Sequence, residues 1–129
     1  MGPKRQADRK EVVVLSQPAA DVMYPRVVGE LRGSALSTAE IGTLTGVSER
    51  QVQRWASGTS RPEGDSRTRL LELKYVVDQL RDVYTEDGVE IWLHGRNRGL
   101  GGQRPIVLLQ DGQFDVVLEA IERLHTGAM

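Results

Sequence analysis

Between Leu36 and Gly58 the chain reads LSTAEIGTLTGVSERQVQRWASG, and this stretch constrains the fold more than any other. Ser37 with Glu40, and Ser48 with Gln51, have the spacing of a capping box, in which a hydroxyl and a carboxylate or amide close the start of a helix reciprocally. Two helices are therefore predicted, Thr38–Thr45 and Glu49–Ala56, with only Gly46, Val47 and Ser48 between them. Helices joined this tightly must cross at a steep angle. Ile41, Leu44, Val47, Val52 and Trp55 then face one shared core. Gly42 falls where the first helix must let the second approach, and Gly46 opens the turn, where a positive φ is commonly required. Together these constraints describe a helix-turn-helix.

The outward side of the second helix reads Ser48, Glu49, Arg50, Gln51, Gln53 and Arg54. Arg and Gln make paired hydrogen bonds to guanine and adenine edges in the major groove, which is where the second helix of such a motif docks. Ser48, at the helix start, suits a phosphate or base-edge contact. Arg61, with Arg67 and Arg69 beyond it, suits the phosphate backbone. Glu49 can accept from a cytosine amino group but is repelled by phosphate. The competing reading of this face is a solvated polar surface on a helical hairpin. Net charge is −1 and does not decide between the two, but its distribution helps. Residues 1–69 carry 11 Lys/Arg against 8 Asp/Glu, and residues 70–129 carry 6 against 10. A basic front suits phosphate and an acidic back does not, which implies two faces with two partners.

The rest of the chain reads as helix and turn, so the expected class is all-α. Residues 1–20 form a basic arm, expected to be flexible, with Lys4, Arg5, Arg9 and Lys10 ahead of Val12-Val13-Val14-Leu15. That apolar run is expected to dock on the helical core. Asp21 can cap a helix running to about Arg32, with Pro25 near its start and Gly33 ending it. Residues 58–66 are a loop, and a long helix is expected from Ser66 to Tyr84, with Leu70, Leu73, Val77, Leu80 and Tyr84 at intervals of three and four. Leu71, Val76 and Val83 widen that stripe. A short helix ends at Gly95, Pro105 is placed as the first residue of another, and Gln113–Leu124 is the last. With 39% hydrophobic and 5% aromatic residues the core is thin, which favours burial against a partner or second copy. The absence of cysteine excludes disulfides, thiolate metal sites and cysteine nucleophiles. No apolar run nears the roughly 20 residues of a membrane span, and the charged N-terminus is unlike a secretory signal, so the expected location is the cytoplasm.

The second half has little evident chemistry. His94 and His125 are the only histidines, each with a glutamate nearby, and no metal site is expected of them. The GLGGQRP segment lacks a preceding strand and a following Lys-Ser/Thr pair, so its glycines are read as shaping a turn before Pro105. No acid/base constellation points to an enzyme. The string IWLHGRNRGLGGQRPIVLLQDGQFDVVLEAIERLHTG resembles the C-terminal toxin-binding domain of the Xre/MbcA/ParS antitoxin family. Trp92-Leu93, Asn97, Leu100, Gly102, Pro105 and the helix through Val117, Ile121 and Leu124 to Gly127 carry the likeness. Arg96 departs from it, since family members often have proline there.

The resemblance implies an Xre-like helix-turn-helix domain over residues 21–65 and a toxin-binding domain over residues 66–129 that includes the long connecting helix. It implies an antitoxin of a type II pair, with a RES-type, NAD-degrading toxin as its partner. Such an antitoxin blocks the toxin's active site and represses its own operon through operator DNA. The expected toxin contact is His94, Arg96, Asn97, Arg98, Gln103 and Arg104. A homodimer or a higher hetero-oligomer with the toxin is expected, and no cofactor. The alternative reading is a stand-alone dimeric helix-turn-helix regulator.

Overall fold

The computed structural model describes residues 23–127. The helices are α1 (residues 23–34), α2 (Thr38–Thr45), α3 (Glu49–Ser57), α4 (Gly64–Arg81), α5 (Glu86–His94), α6 (Pro105–Gln110) and α7 (Phe114–Thr126). A 3₁₀ turn at Arg98–Leu100 sits between α5 and α6, and no strand occurs among the described residues. The all-α expectation holds. Asp21, Val12–Leu15 and the rest of the arm lie outside the described residues.

The helix-turn-helix forms as its sequence requires. Ser37 Oγ accepts from the Glu40 N–H at 3.0 Å, and the Ser37 N–H donates to Glu40 Oε1 at 2.9 Å. Both halves of this box are made, and α2 spans the predicted residues. The second box is only half made. Ser48 Oγ accepts from the Gln51 N–H at 3.1 Å, but the Gln51 amide turns away and donates to Ser60 Oγ at 2.8 Å. Gly46 adopts φ 81° and donates to the Gly42 carbonyl at 2.8 Å. A Cβ on Gly42 would stand 2.8 Å from the Val47 carbonyl oxygen, so only glycine lets the turn fold back onto α2.

Other boundaries move. Gly33 does not end α1, which continues through residue 34 before the Ala35 and Leu36 N–H groups close on the Leu31 carbonyl. The start of α4 lies at Gly64 instead of Ser66, because Ser66 Oγ donates back to the Glu63 carbonyl from inside the first turn. Its end lies at Arg81 instead of Tyr84: the Val83 and Tyr84 N–H groups both close on the Leu80 carbonyl, and Thr85 then caps α5. Val83, expected to widen the buried stripe, is 40% exposed beyond the helix end.

One buried cluster runs through the described residues. Ile41, Leu44, Val52 and Trp55 meet Leu70, Leu73, Val76, Val77 and Leu80 of α4, then Val89, Leu93, Ile106, Leu109, Val117 and Ile121. Each such side chain contributes roughly 1.5–3 kcal/mol when fully buried. The α2 helix touches α3, α4 and α6, while α7 lies along α4, so the helix-turn-helix and the C-terminal helices share one interior. No helix among the described residues is long and apolar enough to cross a membrane.

Candidate functional site

The two sequence-predicted site clusters lie on different elements. On α3, Val52 and Trp55 anchor the inner face, which turns Glu49, Arg50, Gln53 and Arg54 to solvent together with Ser48 at the cap. Glu49 in the first turn and Arg54 in the last match the helix dipole, which gives the acid a structural reason to be there. Gln51 is a correction. Expected on the exposed side, it is half-buried and its amide is spent on Ser60, where it fixes the chain leaving α3. Arg61 is exposed in that same segment, next to buried Pro62, and lines a cleft with Gln51, Trp55 and Ser60.

The second cluster is a turn built around Asn97. Its Oδ1 accepts from the Gly99 N–H at 2.8 Å, its carbonyl accepts from Leu100 and Gly102, and its N–H donates to the Gln103 carbonyl at 3.1 Å. Leu100 plugs the turn into the core. Arg96, at the position where the family often has proline, closes the turn from outside by donating to the Gly102 carbonyl at 3.2 Å. Arg123 of α7 reaches the Gly99 carbonyl at 3.5 Å. Asn97 is therefore a positioning residue, half-buried and committed to the backbone, while Arg98, Gln103 and Arg104 stand exposed around it.

His94 is also committed internally. Its Nδ1 lies 2.9 Å from the Glu90 carbonyl and its Nε2 lies 2.8 Å from Glu40 Oε2, which ties the end of α5 to the start of α2. Burial opposes the histidine's charge, but the Glu90 carbonyl and the Glu40 carboxylate outweigh it and hold the pKa above 6.5. Burial also works against the Glu40 charge, and the Ser37 N–H with His94 outweighs it, so that pKa falls below 4.5.

Sequence reasoning missed Ile91, which is 71% exposed on α5. A signal was present: Val89, Ile91 and Leu93 are spaced by two, and a helix that buries the first and third must turn the middle one out. Val107 on α6 is also exposed, although its neighbours Ile106 and Leu108 are buried.

The profile of the antitoxin Xre/MbcA/ParS C-terminal toxin-binding domain matches residues 79–127, which contain the Asn97 turn, Ile91 and Val107. The chain is 33% identical to the mycobacterial cidal antitoxin MbcA of Mycobacterium bovis over 107 residues, 83% of this chain and 95% of that protein. The chain belongs to the Xre/MbcA/ParS antitoxin family. A probable mycobacterial cidal antitoxin of Mycobacterium tuberculosis is 36% identical over 102 residues, 79% of this chain and 87% of that one. The crystal structure of the M. tuberculosis MbcT–MbcA toxin–antitoxin complex contains a chain that matches this antitoxin with a TM-score of 0.70 and 31% identity. That match covers 81% of this chain and 96% of that one.

Proposed function

We propose that this antitoxin binds a RES-type toxin through its C-terminal half and blocks the toxin's NAD-degrading active site, acting in the cytoplasm. In the same reading α3 binds operator DNA, so that the antitoxin represses its own operon, alone or with the toxin, as a homodimer or a higher hetero-oligomer. The observation that carries the toxin half is the relative crystallised with its toxin, since the match spans nearly all of that relative's chain. Exposed Arg98, Gln103 and Arg104 around a braced turn, with Ile91 and Val107 nearby in sequence, suit a partner surface of mixed apolar and acidic character. Exposed Arg50, Gln53 and Arg54 on α3 support the DNA half.

Paired variants of the full chain test the division of labour. Arg50→Ala and Gln53→Ala are each expected to cost about 1–3 kcal/mol of specific DNA affinity in mobility shifts on the antitoxin's own promoter. Both should leave rescue from the co-expressed toxin intact. Arg98→Glu with Arg104→Glu should abolish rescue and leave DNA binding. The reverse pattern would place the toxin on the front half and overturn the proposal.

A further inference from the structure

Most of the charge that favours DNA lies outside the helix-turn-helix. Residues 1–69 carry 11 Lys/Arg against 8 Asp/Glu, an excess of three. Residues 1–10 alone carry Lys4, Arg5, Arg9 and Lys10 against Asp8, so they account for all of that excess. Residues 11–69 are left with 7 against 7, and residues 11–129 with 13 against 17. Affinity for DNA comes largely from cations that displace the counterions of phosphate, whatever sequence is read in the groove. A body that is net negative by four gains little of this from its overall charge, and the arm holds the cations that it lacks.

The start of α1 shows where the arm joins the molecule. Pro25 Cγ lies 3.7 Å from the position a Cβ would take on Gly58, the residue that ends α3. Tyr24 is buried and lines a cleft with Arg61, Pro62, Glu63 and Arg67. The Thr59 N–H donates to the Arg54 carbonyl at 3.0 Å, which holds the segment that carries Arg61 against the last turn of α3. Arg26, Arg54, Arg61 and Arg67 are all exposed. The chain therefore enters beside the arginines read above as phosphate contacts. Lys10 precedes Met23 by 13 residues, and a chain of that length spans at most about 45 Å. The major groove is only about 12 Å wide, so reach does not limit the arm. We infer that Lys4, Arg5, Arg9 and Lys10 form a second DNA contact, on the phosphate backbone flanking the α3 site. Phosphate contacts carry no sequence information, so the arm supplies affinity while Arg50 and Gln53 choose the site. The inference rests on the DNA reading of α3 above and adds to it a surface that reading does not contain.

Fluorescence anisotropy tests it, with the full chain titrated onto a labelled fragment of its own promoter and onto a scrambled duplex, from about 50 to 200 mM salt. The variant with Lys4→Gln, Arg5→Gln, Arg9→Gln and Lys10→Gln together is expected to lower the log–log salt slope by about 3 to 4, roughly 0.9 for each phosphate contact given up. Its affinity should fall about tenfold or more on both duplexes, with their ratio kept within about twofold. Gln53→Ala should do the opposite, lowering the ratio and leaving the slope. Arg98→Gln with Arg104→Gln removes positive charge from the other half and should leave both. A quadruple variant with the wild-type slope overturns the inference. So does one that binds DNA as before but no longer captures the toxin, which would give the arm to the toxin. An equal loss of slope in the Arg98 and Arg104 variant also overturns it, since net charge would then explain the effect without a contact. Failure of the α3 reading looks different: the promoter-to-scrambled ratio would ignore Arg50→Ala and Gln53→Ala while the slope still fell in the quadruple variant. A wild-type chain that binds neither duplex overturns both.

Discussion

Glu40 uses its two carboxylate oxygens on two different tasks. Oε1 closes the capping box at the start of α2, and Oε2 holds His94 at the end of α5, 54 positions away in the sequence. The charged groups that act on His94 are Glu40 and, from its own helix, Glu90. The pair predicts a pH dependence of stability with a definite sign. His94 titrates above 6.5 when folded, so its contribution is fully present below that value and is lost as pH rises through the raised folded pKa. Glu40 titrates below 4.5 when folded, so its contribution is present above that value and is lost as pH falls through the lowered one. The two overlap between 4.5 and 6.5, where the link stabilises most. Thermal melts of the wild type are expected to lose stability on the alkaline side of this window, and His94→Gln should flatten that limb. An unchanged alkaline limb in the variant would show that another group sets it.

At the scale of elements, what could be read in the sequence was whatever a local rule determines. The α2 bounds follow from a reciprocal box, and the α2–α3 turn follows from Gly42 and Gly46, all within a few residues. Where a side chain had a distant alternative, local reading failed. Gln51 had the spacing of a capping partner, yet Ser60, nine residues on, took its amide. His94 looked free in sequence because its partner lies in another helix. The ends of α4 slipped because Ser66 and Thr85 can each cap or bond backward, and only the packed chain decides. In the toxin-binding segment the sequence located the turn but not the division of roles within it. Asn97 braces, and Arg98 and Arg104 project. That division is testable. Asn97→Ala removes the acceptor of the Gly99 N–H and is expected to weaken toxin binding by about 1–2 kcal/mol, the worth of one or two lost hydrogen bonds. Asn97→Asp keeps the accepting oxygen and should restore most of it. If both variants bind equally weakly, the amide touches the toxin directly.

For the whole molecule, the single interior matters more than the boundary between the two halves. Ile41 and Leu44 of α2 and Leu93, Ile106 and Leu109 of the C-terminal helices belong to one cluster, with α4 between them. Such an arrangement should unfold as a unit, without separate transitions for the helix-turn-helix and the C-terminal helices. The two tryptophans happen to report on the two parts: Trp55 sits in the helix-turn-helix and Trp92 in α5. Trp55→Phe leaves Trp92 as the only reporter while perturbing the other part of the core. Trp55 is 1% exposed, so the smaller ring leaves a gap. Its indole Nε1 has no hydrogen-bond partner, so phenylalanine also removes a buried polar atom, and the net cost is expected at about 1–2 kcal/mol. In urea titrations Trp92 fluorescence should register that loss in full, as a lower midpoint that coincides with the one seen by far-ultraviolet circular dichroism. In Trp92→Phe, Trp55 fluorescence should likewise coincide with the dichroism. A Trp92 transition that ignores Trp55→Phe would mean that the halves unfold independently. The contacts of α2 with α4 and α6 would then contribute little to holding them together.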